Sequence, residues 1–217
     1  MSNKKTNMGI DYYDIEVDIN KIASESLNDA FTLQDLKQRK LFLESEVDQY
    51  SVSDIIKNIM QYNHDDNANG IPVEKRIPIK LYIASNGGSV DAGFSLIDTI
   101  VCSETPVLTI NTGYAYSMGF LILIAGHKRY ALPSARHLLH DGSNFVYDST
   151  SKVKDRMEFE EIAEARLKDF VLKHSKLSSE TYDNNLRKEW YMFADEAKSL
   201  GFIDYIIGED CKMNEVV

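Results

Sequence analysis

Ile79-Lys80-Leu81-Tyr82-Ile83-Ala84-Ser85-Asn86-Gly87-Gly88-Ser89-Val90 holds the key to the architecture. Its first six residues, apolar and rich in strand formers, read as a buried strand, and the paired glycines after Asn86 read as a sharp turn. From Val90 to Cys102 the spacing changes to that of a helix, with Phe94, Leu96, Ile97 and Ile100 available for burial. Outward from this unit the same order returns: Val107 to Asn111 as a strand, Ser117 to Ala125 as a helix, then short strands over Arg129 to Leu132 and Arg136 to Leu139. Such alternation predicts an α/β domain with layered, largely parallel strands.

The flanks are less regular. Upstream, Leu41 to Leu43 reads as a short strand, and Ser53 or Asp54 caps a helix carrying Ile55, Ile56, Ile59 and Met60. Asn63 to Pro72, crowded with Asn, Asp and Gly, reads as a loop. The first 38 residues form a peripheral arm in which Ile15, Val17 and Ile19 alternate with acidic residues. Downstream, Lys152 to Lys176 is the longest helix, its Met157, Phe159, Ile162, Ala165 and Phe170 set among charges. A helix over Ser178 to Lys188, a short helix from Asp195 to Leu200 closed by Gly201, and a strand from Ile203 to Ile207 complete the chain.

Composition narrows the function. At 217 residues one domain is expected, and 24 Lys+Arg against 34 Asp+Glu, a net charge of −10, opposes nucleic-acid binding. Cys102 and Cys211 are far apart and lack metal-ligand spacing, so neither a disulfide framework nor a zinc site is predicted, and a cytoplasmic setting fits. No apolar segment follows the basic start at Lys4 and Lys5, so secretion is not expected. Met118 to Gly126 is about half the roughly 20 residues that a membrane span needs, and predicts a buried helix instead.

Three features carry chemistry. Asn86-Gly87-Gly88-Ser89 at a helix start is either a tight turn or a cradle whose N–H groups face an oxyanion. In Gly113-Tyr114-Ala115-Tyr116-Ser117-Met118-Gly119, Ser117 is either a helix cap or a nucleophile with small neighbours around it. Ala115 stands where the α/β-hydrolase elbow needs its first Gly, so that fold is disfavoured. His140, at the end of an apolar strand, is either structural or a general base for Ser117. His64 and His174 are poor catalytic candidates, whereas His127 and His137 stay open.

The order of these segments, with Leu123-Ile124-Ala125-Gly126, Arg129-Tyr130-Ala131-Leu132-Pro133 and Ala194-Asp195-Glu196-Ala197 to Gly201-Phe202-Ile203-Asp204, resembles the proteolytic subunits of ATP-dependent Clp proteases, the ClpP family of S14 serine peptidases. The resemblance runs from about Leu41 to Ile207. It implies a ClpP/crotonase-like layered ββα-spiral with a protruding helical handle around residues 141–176. The arm, residues 1–38, would be a propeptide or an axial gate, the peptidase domain would span 39–208, and 209–217 would be a C-terminal tail. It also implies a serine endopeptidase acting on unfolded polypeptides inside two stacked heptameric rings, docked to an AAA+ unfoldase, with no cofactor or metal. On this sequence the implied nucleophile is Ser117, the general base His140, and the oxyanion donors the N–H groups of Gly88 and Met118.

The third catalytic position departs from the family. Counting back from Glu196-Ala197 places it on Asn185, with Asp183 and Glu189 as alternative acids and Lys188-Glu189 as the family's basic-acidic pair between rings. Asn86 replaces the usual Pro, Tyr116 a small residue, and Asp141-Gly142 the usual Gln-Pro. Two other functions compete: a non-catalytic or conditionally active ClpP-like subunit in a hetero-oligomer, and an acyl-CoA enzyme of the crotonase type, against which the Ser117/His140 pair argues.

Overall fold

The computed structural model describes residues 27–142 and 150–216, so the expected alternation at Ile15, Val17 and Ile19 lies outside the described residues. The chain divides into two compact units, Met1–Gln38 and Arg39–Val217. The first contains helix α1 (Leu27–Lys37), with Asp29 in its first turn and Lys37 in its last, each suited to the helix dipole. The sequence reading assigned no helix there.

In the second unit the order is β1 (Lys40–Leu43), α2 (Gln49–Ala68), β2 (Ile79–Ser85), α3 (Val90–Val101), β3 (Val107–Tyr116), α4 (Met118–Ile124), β4 (Lys128–Ala131) and β5 (Arg136–Leu139). Then follow α5 (Thr150–Lys173), α6 (Ser179–Leu186), β6 (Trp190–Phe193), α7 (Ala194–Ser199), β7 (Tyr205–Ile206) and α8 (Met213–Val216). Strands β1-β2-β3-β4-β7 form a parallel sheet, which bears out the mixed α/β fold. Ile79, Leu81 and Ile83 of β2 are fully buried on one face, in a core with Leu96, Ile97 and Ile100 of α3 and all seven residues of α4. On the alternate face Tyr82, Ile110, Tyr130 and Ile207 form a second cluster with Val216 of α8. A parallel sheet is thereby buried on both sides. Among the described residues no helix is long and apolar enough to cross a membrane.

Several expected boundaries are corrected. Helix α2 starts at Gln49 rather than beside Ser53 or Asp54, because Asp48 accepts the N–H groups of Tyr50 and Ser51 while the Ser51 hydroxyl accepts that of Asp48. The helix also runs to Ala68, through most of the expected loop. Its polar residues find tertiary partners there. Asn63 bonds Ser103 and the Thr105 N–H at 2.7 and 3.0 Å, and buried Asp66 accepts two bonds from Arg39 and one from the Thr105 hydroxyl. The Arg39 bonds, against the effect of burial, hold the Asp66 carboxyl below its usual range. Helix α5 stops at Lys173, and the last strand shrinks to Tyr205–Ile206.

The correction that matters for the site is β3, which continues past Asn111 to Tyr116. Its first half pairs with β4 and its last three residues with β5, so one strand spans two layers of partners. Between Ile83↔Asn111 and Ser85↔Ala115 the register with β2 shifts, a bulge that redirects the strand. Fully buried Asn111 holds this junction: its amide nitrogen donates to the Arg136 carbonyl at 2.9 Å and its amide oxygen accepts the Gly113 N–H at 3.0 Å. Beyond β5 lies β6, antiparallel to it and absent from the sequence reading.

Candidate active site

Two turns meet at the end of the sheet. The Gly87-Gly88 turn connects β2 to α3, and both glycines have positive φ, 91° and 146°. A Cβ on Gly87 would lie 2.6 Å from the Tyr116 carbonyl oxygen, 2.8 Å from the Ser117 Cβ and 2.9 Å from the Met118 nitrogen. Only a glycine lets the first turn close on the second. Gly87 and Ser89 spend their backbone groups on Val47, whose N–H donates to the Gly87 carbonyl at 2.8 Å and whose carbonyl accepts the Ser89 N–H at 2.7 Å. Among the described residues no acceptor takes the N–H of Gly88 or of Met118.

Ser117 stands at the N-terminus of α4 with φ 51° and ψ −122°, and its hydroxyl makes no capping bond. For a residue with a side chain this backbone costs on the order of 1–3 kcal/mol. The cap reading is therefore not the one adopted by the molecule, because capping serines sit in extended backbone and bond the helix N–H groups. The Ser117 N–H donates instead to the Leu138 carbonyl at 3.0 Å, which ties the turn to β5 two residues before His140.

His140 follows the last residue of β5 and is partly buried. Asn185 lies in the last turn of α6, and the neighbouring Leu186 carbonyl accepts the Asp141 N–H at 2.9 Å, so the two segments touch through their backbones. The Asn185 amide nitrogen donates to the Thr181 carbonyl at 2.8 Å. Of the alternative acids, Asp183 is held by Lys168 through both oxygens at 2.7 Å. Glu189 is exposed and directly precedes β6, in which Trp190 pairs with Leu139.

Sequence reasoning missed β6. Trp190-Tyr191-Met192-Phe193 is a run of strand formers, and that was the available signal. Three of the other histidines have places of their own in the fold. His137 points to the opposite face of β5 from His140, fully buried with its ring edge-on to Phe120 at 6.0 Å. Burial pushes it down to about 4, partly offset by the Met192 backbone. The His127 Nδ1 accepts the Val107 N–H at 3.1 Å, and the His174 Nδ1 bonds the Phe170 carbonyl.

Among the described residues the site holds a hydroxyl on a strained turn, two N–H groups without an acceptor on adjoining turns, and an imidazole two residues beyond the carbonyl that ties down the Ser117 N–H. Comparison with known proteins gives the family. The family model for Clp protease matches residues 24–210. The ATP-dependent Clp protease proteolytic subunit 1 of Streptomyces avermitilis is 30% identical over 182 residues, 83% of this chain and 80% of that protein. The ATP-dependent Clp protease proteolytic subunit 3 of Streptomyces coelicolor is 29% identical over 182 residues, with the same coverage of 83% and 80%. The matched span takes in both glycine-bearing turns, the β5–β6 pair and the long α5 helix, and the chain belongs to the Clp protease family.

Proposed function

We propose that this chain is a serine endopeptidase that cleaves unfolded polypeptide, with Ser117 as nucleophile and His140 as general base. The observation that carries this reading is the positive φ of Ser117, together with a hydroxyl withheld from capping. His140 takes the hydroxyl proton as Ser117 Oγ attacks the peptide carbonyl, and the N–H groups of Gly88 and Met118 stabilise the oxyanion. The proton then passes from His140 to the leaving amine, and water, deprotonated by His140, hydrolyses the acyl-enzyme. Asn185 was the expected third member. Its amide nitrogen is engaged with Thr181, and its amide oxygen is the atom that would accept the imidazole N–H and orient His140.

The chain would work as a cytoplasmic, self-compartmentalised assembly of heptameric rings served by an AAA+ unfoldase. Helix α5 supports the self-association, since Met157, Phe159 and Ile162 are 58%, 66% and 56% exposed. The test is hydrolysis of a fluorogenic peptide by the full-length assembly: wild type should exceed Ser117→Ala by at least about a thousandfold, and equal rates would overturn the assignment. An Asn at the position where the resemblance expects an acid favours a second reading, a subunit that gains activity only beside an active paralogue. If that holds, Asn185→Asp or an added active subunit raises turnover, whereas a working Ser117–His140–Asn185 site expects the wild type to turn over alone and Asn185→Ala to slow it.

A further inference from the structure

The face of the parallel sheet that carries Tyr82 and Tyr130 is built of two ordered rungs. Register places Lys40, Lys80, Leu108 and Lys128 side by side across β1 to β4, and partners in a rung share a face. Two residues further along each strand, on the same face, run Phe42, Tyr82, Ile110 and Tyr130, with Tyr205 of β7 beside Tyr130. The rings pair off at the two ends of this rung. Phe42 stacks on Tyr82 at 5.0 Å and Tyr130 on Tyr205 at 5.2 Å, which leaves Ile110 between the pairs. Val216 is packed in the cluster of Tyr82, Ile110, Tyr130 and Ile207 and is 2% exposed, whereas Phe42 and Tyr205 are 43% and 37% exposed. Among the described residues it is the cluster's one contribution from a helix. Residues 212–215 are exposed, and their hydrogen bonds close within the segment: the Glu215 N–H donates to the Lys212 carbonyl at 3.1 Å and the Lys212 N–H to the Glu215 carboxylate at 3.2 Å. Val216 is thus the buried anchor of α8.

Among the described residues no carboxylate pairs with Lys40, Lys80 or Lys128. Like charges side by side destabilise a sheet, and burial, with the neighbouring Lys40 charge, pushes the Lys80 ammonium below its usual range. Lysines on an edge strand repel stray strands, which accounts for Lys40 on β1 but not for Lys80, which has β1 and β3 on either side. We propose that α8 is a displaceable cover: Val216 fills a seat on the aromatic rung that takes an aliphatic side chain from an acidic segment of a partner protein, and the lysine rung receives that segment's carboxylates. The seat fits an aliphatic side chain because one fills it now, and Glu215 beside Val216 gives the cover the same pairing of acid and aliphatic anchor. An outside segment must displace Val216, so its apparent affinity is reduced by the fraction of molecules whose cover is open. The lysine rung lies at the strand starts, whereas Gly87 and Ser117 follow the ends of β2 and β3, which makes the cover independent of the Ser117 reading.

Fluorescence anisotropy on the full-length protein tests the cover, in a Ser117→Ala background so that the probe stays uncut. The probe is a fluorescein-labelled peptide alternating Glu and Ile, compared with one alternating Lys and Ile. Val216→Ser removes the anchor and should tighten binding of the acidic peptide at least about fivefold, while Val216→Ile keeps the seat filled and should leave it within about twofold. Adding Lys80→Glu to Val216→Ser should abolish the gain, and the basic peptide should gain nothing from Val216→Ser. With a net charge of −10 on the chain, non-specific attraction would favour the basic peptide, so a preference for the acidic one reports the lysine rung. Circular dichroism and a urea midpoint establish that each variant is folded, and Val216→Ala, a milder truncation, should shift affinity in the same direction. Equal affinity for the acidic peptide with and without Val216→Ser, or no binding in any variant, overturns the cover. An equal gain for both peptides, or a gain that survives Lys80→Glu, overturns the acidic partner, and each of these results leaves the Ser117 reading standing.

Discussion

Gly87 is the residue on which the site's geometry turns most sharply. Its φ of 91° disfavours any side chain, and a methyl there would sit inside contact distance of Tyr116, Ser117 and Met118, all through backbone or Cβ atoms that cannot rotate away. Gly87→Ala should therefore push apart the turns that carry the two proposed oxyanion donors. Hydrolysis is expected to fall at least about a hundredfold, the scale of losing one such donor, while circular dichroism still reports a folded chain; full activity would show that the close approach is dispensable. His137 makes the opposite point. It resembles His140 in sequence, two apolar-strand histidines three positions apart, and only the alternation of faces along β5 separates a core group from a candidate base.

At the scale of elements, the glycine turns and the apolar strands and helices between Ile79 and Leu139 were legible because each carries its own local signal. The parts that were not legible depend on partners distant in sequence. Asn63 and Asp66 look like turn residues until Ser103, Thr105 and Arg39 supply their hydrogen bonds, and Asn111 looks like a strand end until the Arg136 carbonyl takes its amide. Strand β6 was hidden by brevity, since four residues pairing with one neighbour give no period to read. The β5–β6 pair also makes stability depend on pH. The folded state holds His137 near 4 against an ordinary 6.5, so the unfolded chain takes up a proton first as pH falls, and stability is lost between about 6.5 and 4. By pH 5 this amounts to about 2 kcal/mol. His137→Leu should flatten the dependence; urea midpoints at pH 7 and 5 that shift equally in wild type and variant would contradict it.

At the scale of the whole molecule, a net charge of −10 per chain and the exposed apolar residues of α5, Phe159 and Ile162 among them, pull in opposite directions. If these residues make the ring-to-ring contact, Phe159→Glu adds charge to both sides of it. Light scattering should then show the assembly falling to a smaller species whose secondary structure is retained, and an unchanged mass would place the contact elsewhere.

The proposal as a whole stands on Ser117. Its most direct test is intact-mass spectrometry of the full-length assembly after treatment with a fluorophosphonate, which phosphonylates an activated serine and releases fluoride. The geometry predicts one adduct per chain, mapped to Ser117 by peptide analysis and absent from both Ser117→Ala and His140→Ala. An unmodified wild type, or an adduct on any other residue, would contradict it.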